Sequence, residues 1–438
     1  MNTGKSPAII LNKGPCSAAA SQQANVPSIM KYNNSTSIYV LIKILSFLVC
    51  NTSSFIINGV TSSRNTNKVQ LNESTVSFSS PLLDEGYAPT VSEFENGSLS
   101  DKPLLLYLPG FDGTLVAPFL QFPELGTEFE VWGMSVSMED RSSVQNLCDS
   151  AMKFLIEKLK DDNRSVYIMG ESFGGILALE VSMAIQDYNS KIIEKNVISE
   201  HKIDLSGLVL INPATCYNKS KLAISGPVIA NGNPLLYPIN LMTIVPLFTD
   251  DYAFPQLIKI LTAEGLPSVI DTAEREAYMG RYAFSLPSKL KFMPQETLQW
   301  RLQEWLEKGC ELIESKEELM GEILEKVPIL IVAGEKDETL PSVSESQRLS
   351  NLLKKVDIHI VNGSGHACTC GSRVDLTALM RKSFFPNSSL GRKEMKPQAS
   401  AGAVEDYGLE PRYDGASIGL SPLKYWSMPY FKKIDLLK

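Results

Sequence analysis

The sequence predicts an α/β fold, in which helices cover both faces of a mostly parallel sheet. Short apolar runs alternate along the chain with longer stretches whose apolar residues recur at helical spacing. Such alternation is typical of parallel strands joined by crossover helices. The glycine-bracketed segment Gly170-Glu171-Ser172-Phe173-Gly174-Gly175 also lies between one such run and one such helix, which indicates a sharp turn at its centre. With 438 residues, 44% of them hydrophobic, the chain is long enough to bury a sizeable core.

The predicted strands are apolar runs that end at glycine, proline or polar residues. They span residues 104–108, 128–134, 165–169, 207–211, 328–333 and 356–361. Between them, helical spacing of apolar residues from Val144 to Leu159 predicts a helix that covers one face of the sheet. Cys148 lies on this apolar stripe and is therefore predicted to belong to the core. Because ligands of parallel sheets bind beyond the carboxyl ends of the strands, the loops that follow these runs are the candidate site.

Ser172 is the candidate nucleophile. It lies between the strand predicted at 165–169 and the helix predicted from 175 onwards. Glycines two residues to either side let the strand and the helix approach without a clash of Cβ atoms. This pattern is the G-x-S-x-G nucleophile elbow, and its alternative is a chance Gly/Ser-rich turn.

A second glycine-bracketed loop, Pro109-Gly110-Phe111-Asp112-Gly113-Thr114, follows the strand predicted at 104–108. In an α/β-hydrolase, the corresponding loop supplies one backbone N–H of the oxyanion hole, and the residue after the nucleophile supplies the other. We therefore predict that the N–H groups of Phe111 and Phe173 form the oxyanion hole. A plain tight turn is the alternative, because no side chain identifies a backbone donor.

Asp337 and His366 complete the predicted catalytic residues. Each follows a predicted strand, and the order serine, Asp337, His366 is the nucleophile–acid–base order of the α/β-hydrolase fold. The serine needs a base, and the base needs a carboxylate that holds its tautomer. Of the three histidines, His359 lies inside a predicted strand and His201 in a polar stretch, so His366 is the candidate base. Glu335 is the alternative acid.

No cofactor or metal is predicted. Cys368 and Cys370 follow His366, but no second spaced pair of ligands accompanies them, and a small-residue loop is the simpler interpretation. Seven cysteines without framework spacing indicate reduced thiols. The net charge of −8 argues against a nucleic-acid partner. A Gly-rich phosphate loop and a paired CxxC zinc pattern are also absent from the sequence.

Residues 1–69 have the composition of a targeting sequence. They contain no Asp or Glu, are rich in hydroxyl side chains, and include an apolar run at 38–50 that is too short to span a bilayer comfortably. Met30 is an alternative start, and Phe55 follows a small-residue cleavage site. The segment resembles the bipartite presequence of algae with secondary plastids. We therefore predict a plastid (chloroplast) location, with the secretory pathway and a single membrane anchor as alternatives.

The remaining boundaries follow from composition. Residues 70–101 are predicted to be a linker, 102–385 the α/β-hydrolase domain, and 386–438 a tail. A helical cap is predicted at about 217–326, strongly helical from 294 to 326, and such insertions shield a nucleophile and line an acyl tunnel. A purely structural helical subdomain is the alternative. Handling of lipid predicts peripheral contact with a membrane, although no amphipathic anchor is evident after Phe55.

Five motifs in this order resemble the esterase/lipase half of the plastid phytyl ester synthases, an esterase/lipase/thioesterase family also described as diacylglycerol acyltransferase-like. The motifs are Leu108-Pro109-Gly110-Phe111-Asp112-Gly113-Thr114, Gly170-Glu171-Ser172-Phe173-Gly174-Gly175, Asn212-Pro213-Ala214-Thr215, Pro294-Gln295-Glu296-Thr297-Leu298 and Gly309-Cys310. The resemblance covers about residues 101–380. It implies acyl transfer to phytol or diacylglycerol from acyl-CoA, acyl-carrier protein or galactolipid in the chloroplast. By position, it also implies Ser172 as nucleophile, Asp337 as acid and His366 as base.

Longer members of that family continue into a second acyltransferase domain, whose active site has Asp five residues after a His. None of the three histidines here has Asp at that spacing. The sequence is thus interpreted as a hydrolase-only member or as part of a longer chain, with residues 408–438 similar to the linker toward the second domain. Three functions stay open: acyl transfer to an alcohol, hydrolysis by an esterase, lipase or thioesterase, and a non-catalytic lipid-binding module. The predicted partner is a lipid or acyl-thioester substrate.

Overall fold

A computed structural model describes residues 75–84, 102–118, 121–160, 162–195, 201–242, 293–369 and 374–385. These residues all belong to one unit of the chain, Gln70–Lys438. Several predictions lie outside the described residues: the presequence at 1–69 with Phe55, most of the linker, the middle of the cap, Cys370, and the tail at 386–438.

In the described residues, seven strands form one sheet in the order β1-β3-β2-β4-β5-β6-β7. The strands are β1 (Val76–Ser79), β2 (Leu104–Leu108), β3 (Glu130–Val136), β4 (Val166–Glu171), β5 (Leu205–Ile211), β6 (Ile329–Gly334) and β7 (Val356–Val361). Strands β2 to β7 run parallel, and β1 pairs antiparallel with β3 at the edge. The mostly parallel sheet of an α/β-hydrolase fold, predicted from the alternating apolar runs, is thereby confirmed.

Strand β1 corrects the prediction that residues 70–101 are a linker. Val76 and Phe78 pair with residues of β3, and the Phe78 ring stacks on Phe154 with its centroid 4.3 Å away. The sequence did not reveal this strand because four residues are too few to show alternation, and what stabilises it is pairing with a distant strand. The other domain boundaries stay predictions.

Helices cover both faces of the sheet, as predicted. They are Pro81–Asp84, Phe122–Glu128, Val144–Lys158, Phe173–Lys195, Lys221–Ala230, Tyr237–Met242, Gln295–Trp300, Lys308–Glu314, Glu317–Ile323, Ser342–Leu352 and Leu376–Phe384, with a 3-10 helix at Ala214–Lys219 and a π-helix at Arg301–Glu307. The helix Val144–Lys158 confirms the predicted apolar stripe, and Cys148 is buried in it. Its N-terminus is capped by the Ser143 hydroxyl, which accepts a hydrogen bond from the Asn146 N–H.

Strand β2 shows why the sheet needs cover on both faces. Leu104, Leu106 and Leu108 pack into one apolar core, whereas Leu105 and Tyr107 pack into the other. All five side chains are buried, and successive side chains of a strand point to opposite faces. Burial of each leucine contributes about 1.5–3 kcal/mol, so the central strands anchor the layers that position the site.

The described part of the cap, residues 217–242 and 293–326, is largely helical. Helices at 295–300, 301–307 and 308–314 follow one another directly and bury the predicted apolar side, namely Leu298, Leu302, Trp305 and Leu306. The middle segment is a π-helix, a form that occurs often at functional sites. Over the described parts of the chain, none of the helices has the length and apolar content needed to cross a membrane.

Candidate active site

Ser172 lies on the turn between β4 and the helix Phe173–Lys195, where the elbow motif predicts it. Its φ of 56° is a left-handed conformation that is uncommon for any residue except glycine. The surrounding backbone fixes this conformation: the Ser172 N–H donates to the Ile211 carbonyl at 2.8 Å, and the Ser172 carbonyl accepts from Gly175 and Ala214, each at 2.9 Å. Strain of this kind is concentrated at functional sites.

The glycines around Ser172 are required by close backbone contacts. A Cβ on Gly170 would lie 2.0 Å from the carbonyl oxygen of Gly174. A Cβ on Gly174 would lie 2.1 Å from the carbonyl oxygen of Leu108. The end of β4, the start of the following helix and the end of β2 therefore pack backbone against backbone, which is the strand–turn–helix context of a nucleophile elbow.

Ser172, His366 and Asp337 form one hydrogen-bonded line. The Nε2 atom of His366 is 3.0 Å from Ser172 Oγ, and its Nδ1 atom is 2.8 Å from Asp337 Oδ2. Ser172 is 9% exposed, His366 is 7% exposed, and the Asp337 side chain is 1% exposed. At these distances the imidazole can take the serine proton while the carboxylate holds the other ring nitrogen. The structure thus brings together the three side chains that were predicted from separate loops.

The electrostatics of this line favour an ionised acid and a stronger base. Burial lowers the pKa of His366, but the charge and hydrogen bond of Asp337, with a smaller contribution from Glu171, hold it above its ordinary value. Burial raises the pKa of Asp337, but His366 and hydrogen bonds from Ser342 and Leu340 hold it below its ordinary value. Each group therefore stabilises the charged form of the other.

The alternative residues are placed elsewhere. Glu335 is exposed and accepts a hydrogen bond from the Gly363 N–H at 2.6 Å. His359 lies within β7, where it pairs with Val332 of β6. His201 is exposed and precedes β5. Asp337 is thus the carboxylate that the structure places on the imidazole of His366.

The two predicted oxyanion-hole residues lie beside Ser172. Phe173 begins a long helix, whose first N–H groups have no acceptor within the helix. The Gly110 carbonyl accepts from the Gly113 N–H at 2.9 Å, so the trans peptide directs the Phe111 N–H away from this turn. A Cβ on Gly110 would be 3.7 Å from the Ser172 Cβ. The loop therefore lies next to Ser172, and the assignment of Phe111 and Phe173 as oxyanion donors stays a prediction.

Asn212 is a residue of the site to which sequence reasoning assigned no role. It is fully buried, with a φ of 41°. Its Oδ1 accepts from the Gly334 N–H at 2.8 Å, and its Nδ2 donates to the His366 carbonyl at 2.6 Å. One amide therefore joins the ends of β5 and β6 to the histidine loop. The available signal was an asparagine directly after a predicted strand, where its side chain can bond to backbone groups.

Glu171 is a second residue that sequence reasoning missed. Its carboxylate is buried and accepts from the Tyr107 hydroxyl at 2.8 Å and from the Thr369 hydroxyl at 2.7 Å. Burial raises its pKa, and hydrogen bonds from those two hydroxyls offset this only in part. The carboxylate joins the end of β4 to the loop after His366. Glu171 occupies a position of the G-x-S-x-G motif that accepts any residue, so the motif gave no indication that this carboxylate joins the two segments.

The described cysteines are buried and form no disulfide with one another. They are Cys148, Cys216, Cys310 and Cys368. Cys368 lies 3.4 Å from Asn212 Nδ2, within the histidine loop. Burial raises the pKa of Cys310 to about 11, so this thiol is protonated at neutral pH. These contacts agree with the interpretation of the cysteines as reduced thiols.

A mostly parallel sheet, a strained serine at the elbow, and a histidine and an aspartate on later loops together define the class. The chain is an α/β-hydrolase enzyme with a serine nucleophile, in the broad class of acyl-ester hydrolases and acyltransferases.

Within this class, the chain is similar to two chloroplastic proteins of Arabidopsis thaliana. It is 27% identical to phytyl ester synthase 1 over 288 residues, which are 65% of this chain and 37% of that protein. It is 27% identical to phytyl ester synthase 2 over 308 residues, which are 65% of this chain and 38% of that protein. The chain thus spans well under half the length of these relatives. The resemblance inferred from the motifs is confirmed.

The chain is also similar to one family model and to a solved structure. The family model of serine carboxypeptidases matches residues 129–229, a segment that includes the elbow. Among solved structures, MenH from S. aureus has a TM-score of 0.43 and 15% sequence identity, covering 71% of this chain and 99% of that chain.

Proposed function

We propose that this enzyme transfers fatty acyl groups to phytol or diacylglycerol through an acyl-enzyme on Ser172. The donor is a lipid ester or an acyl thioester. The observation that carries the proposal is the buried line in which His366 Nε2 lies 3.0 Å from Ser172 Oγ and Nδ1 lies 2.8 Å from Asp337. The similarity to phytyl ester synthases supports phytol as the acceptor. The motif resemblance supports diacylglycerol as well.

In the first half of the reaction, Ser172 Oγ attacks the acyl carbon of the donor as His366 Nε2 takes the serine proton. The bond between Oγ and the acyl carbon forms. The bond to the donor's alcohol or thiol then breaks, and His366 returns the proton to that leaving group. Asp337 stabilises the transient imidazolium, and the N–H groups of Phe111 and Phe173 bind the negatively charged oxygen.

In the second half, the acceptor alcohol attacks the acyl-enzyme and passes its proton to His366. The new ester forms, the bond between the acyl carbon and Ser172 breaks, and the serine recovers its proton. Water in place of the alcohol yields a free fatty acid by the same steps, which is the esterase, lipase or thioesterase alternative. The exclusion of water from the acceptor position decides between the two outcomes.

We further propose that the outer face of the cap, defined by Ile224, Val228, Leu235, Leu236 and Ile239, contacts a lipid bilayer peripherally. Ile224 is 77% exposed, Val228 is 71% exposed and Leu235 is 87% exposed. The helix Lys221–Ala230 is therefore apolar outside as well as on the face that it buries. No Asp or Glu occurs between residues 213 and 249. Aliphatic side chains in a stretch of sequence without acidic residues suit a lipid surface, whereas the rims of protein interfaces are polar. The exposed ion pair of Lys221 with Glu338 lies at the start of this helix.

A plastid location is part of the same proposal. The acid-poor, hydroxyl-rich composition of residues 1–69 supports it, and both Arabidopsis relatives are chloroplastic proteins. Expression of residues 1–69 in front of a fluorescent protein in an alga with secondary plastids tests this location. Fluorescence in the plastid is the expected result, and secretion of the reporter would contradict it.

Incubation of the full chain with an acyl donor and an acceptor tests the reaction. Acyl-CoA, acyl-carrier protein and a galactolipid are offered separately with phytol or diacylglycerol, and ester and free fatty acid are quantified by mass spectrometry. Ester that forms with wild type and not with Ser172→Ala is the expected result. Free fatty acid alone would replace transfer by hydrolysis. Identical product levels with Ser172→Ala would overturn the catalytic proposal and favour a lipid-binding module.

A further inference from the structure

Arg301 is a buried cation that contacts the loop of the predicted oxyanion hole. Its Nη1 donates to the Phe111 carbonyl at 2.8 Å, and its Nη2 donates to the carbonyls of Ser137 at 2.9 Å and Val136 at 3.3 Å. The side chain is fully buried. Removing a guanidinium from water is unfavourable, and the bonds from Nη1 and Nη2 offset this cost while they join the arginine to the loop; Nε has no hydrogen-bond partner among the described residues.

The same element of the cap contacts the second oxyanion-hole residue. The guanidinium of Arg301 lies 4.1 Å from the centroid of the Trp305 ring. That ring stacks on Phe173, with centroids 4.4 Å apart and an interplanar angle of 13°. Trp305 is fixed in turn by a hydrogen bond from Nε1 to the Ser142 carbonyl at 2.9 Å. The cap therefore contacts both residues of the predicted hole: Phe111 through the hydrogen bond from Arg301, and Phe173 through the stacked ring of Trp305.

The loop after β2 is shaped to receive the arginine. Gly113 has a φ of 71°, and a Cβ there would lie 2.7 Å from the Val136 carbonyl oxygen and 3.0 Å from Arg301 Nη1. A side chain at this position would displace the guanidinium or the loop. Asp112, next to this glycine, adds an electrostatic attraction to Arg301. The glycine of the loop and the arginine of the cap thus fit each other, although they are far apart in sequence.

The π-helix Arg301–Glu307 explains how both cap residues reach the site. Arg301 and Trp305 are four residues apart, a spacing that puts both side chains on one side of a helix. Gln303 lies between them in sequence and is exposed. The inner side of this segment therefore faces the oxyanion loop and the start of the helix after Ser172.

We propose that Arg301, supported by Trp305, is a positioning residue that orients the oxyanion-hole donors of Phe111 and Phe173. Arg301 holds the Phe111 carbonyl, and the Trp305 ring holds the Phe173 ring, so that both N–H groups face the oxygen that becomes negative during attack. The inference rests on the proposed function, because it requires acyl chemistry at Ser172. Donors that are oriented in advance stabilise the transition state more than the ground state, so the effect belongs mainly to kcat.

The test compares Arg301→Met, Arg301→Lys and Trp305→Phe with wild type in the full chain. With a soluble p-nitrophenyl acyl ester, we expect Arg301→Met to lower kcat by about 10- to 1,000-fold with KM little changed, since one oxyanion donor contributes up to about that factor. Arg301→Lys keeps the positive charge but lacks the planar guanidinium with its several N–H donors, so its kcat should lie between those of Arg301→Met and wild type. Trp305→Phe keeps a stacked ring but loses the indole N–H, so its loss should be the smallest.

Arg164→Met is the matched control. Arg164 pairs with Glu130 and donates to the Lys102 carbonyl at 3.2 Å, next to the amino end of β4. Ser172 follows the carboxyl end of this six-residue strand, about 20 Å away. The Arg164 side chain is 9% exposed. Loss of its ion pair should lower the melting temperature while kcat stays within about twofold of wild type.

Binding of a trifluoromethyl ketone that carries the acyl chain, compared with binding of the corresponding ether, is a measurement that general destabilisation of the protein would not change. The ketone forms an anionic adduct with the serine, whereas the corresponding ether binds without one. Weaker binding of the ketone by Arg301→Met, with unchanged binding of the ether, is the expected result. Equal weakening of both ligands, or a folded Arg301→Met with wild-type kcat, would overturn the inference. Where Arg301→Met does not fold, the same comparison with Arg301→Lys and Trp305→Phe decides.

The same measurements distinguish failure of the proposed function from failure of the positioning role. If wild type neither turns over the ester nor binds the ketone in a manner that depends on Ser172, the catalytic proposal itself is wrong. If wild type does both and the Arg301 variants match it, only the positioning role is wrong.

Discussion

The sheet and the cap contribute to the site in different ways. The sheet holds Ser172, Asn212 and Asp337, which lie within a few residues of the ends of β4, β5 and β6. These three strands are neighbours in the sheet, so strand pairing fixes the relative positions of the three residues. Arg301 instead reaches the Phe111 carbonyl from 190 residues further along the chain. In the mechanism proposed above, the sheet supplies the groups that react, and the cap orients the backbone donors around them. Changes at strand ends should therefore abolish chemistry, and changes in the cap should weaken it or alter contact with lipid.

The largest effect expected on the sheet side, apart from loss of the nucleophile, comes from Asp337→Asn. The amide does not stabilise the imidazolium and favours the wrong tautomer of His366, so kcat should fall by about 10⁴-fold. Steady-state kinetics with a p-nitrophenyl ester measure this loss. Glu335→Gln is the control, because this carboxylate is exposed and bonded to Gly363, and it should leave kcat unchanged. A variant Asp337→Asn with more than a tenth of wild-type activity would remove Asp337 from the proposed line.

A smaller effect on the sheet side is expected for Asn212→Asp. The new carboxylate oxygen would face the His366 carbonyl in place of the Nδ2 donor, so the histidine loop should shift and kcat should fall by about 10- to 100-fold. The free energy of unfolding should fall by about 1–3 kcal/mol, because a buried hydrogen bond is replaced by repulsion.

Asn189→Asp is the matched control for this change. Asn189 also makes two bonds to backbone groups, both to Ile203 at 2.8 and 2.9 Å, but within the helix that leads away from Ser172. It should lose stability without losing activity. Equal activity losses in the two variants would show that Asn212 acts only on stability.

On the cap side, Ile224→Ser with Val228→Ser should weaken binding to galactolipid vesicles by about tenfold, because less apolar area enters the bilayer. Co-sedimentation with vesicles measures the binding, and kcat on a soluble ester should not change. Ile193→Ser is the control, since Ile193 is exposed on the helix Phe173–Lys195, outside the cap. Unchanged vesicle binding together with loss of self-association would assign the outer face to a second copy of the chain instead.

The smallest expected effect is a pH shift from Glu171→Gln. The base must be neutral to accept the serine proton, so activity is lost as the pH falls through the raised pKa of His366. Asp337 makes the main favourable contribution to that pKa and Glu171 a smaller one. Removing the Glu171 charge should therefore move the acid limb of kcat/KM to lower pH, by less than about one pH unit. A limb that moves to higher pH would contradict this electrostatic account.

The sheet-derived part of the site could be predicted because its information is local. Ser172, Asp337 and His366 each follow an apolar run by a few residues, and parallel strands bring such loops to one edge. The roles of Asn212 and Arg301 were not predicted because both side chains bond to backbone atoms that are distant in sequence. Nearly all residues have the same backbone groups, so the identity of the partner residue does not reveal such a bond. Strand β1 was missed because a four-residue edge strand carries too little pattern to be recognised.

The cap shows a different limit of sequence reasoning. Its helices from residue 294 onwards were predicted from one apolar stripe, and the structure confirms them. The outer face of the cap gave no signal of an anchor, because a helix that is apolar on both faces lacks the periodicity that marks an amphipathic helix. Its exposure depends on which face packs against Leu302, and that choice is made by tertiary contacts.

Trapping of the acyl-enzyme tests the central claim most directly. The full chain is mixed with an acyl donor in the absence of acceptor and quenched in acid, and the peptide that contains Ser172 is analysed by mass spectrometry. The account predicts an acyl adduct on Ser172 that is absent from Ser172→Ala and is converted to ester when phytol or diacylglycerol is added before the quench. An adduct on another residue, or ester formed by Ser172→Ala at the wild-type rate, would contradict it.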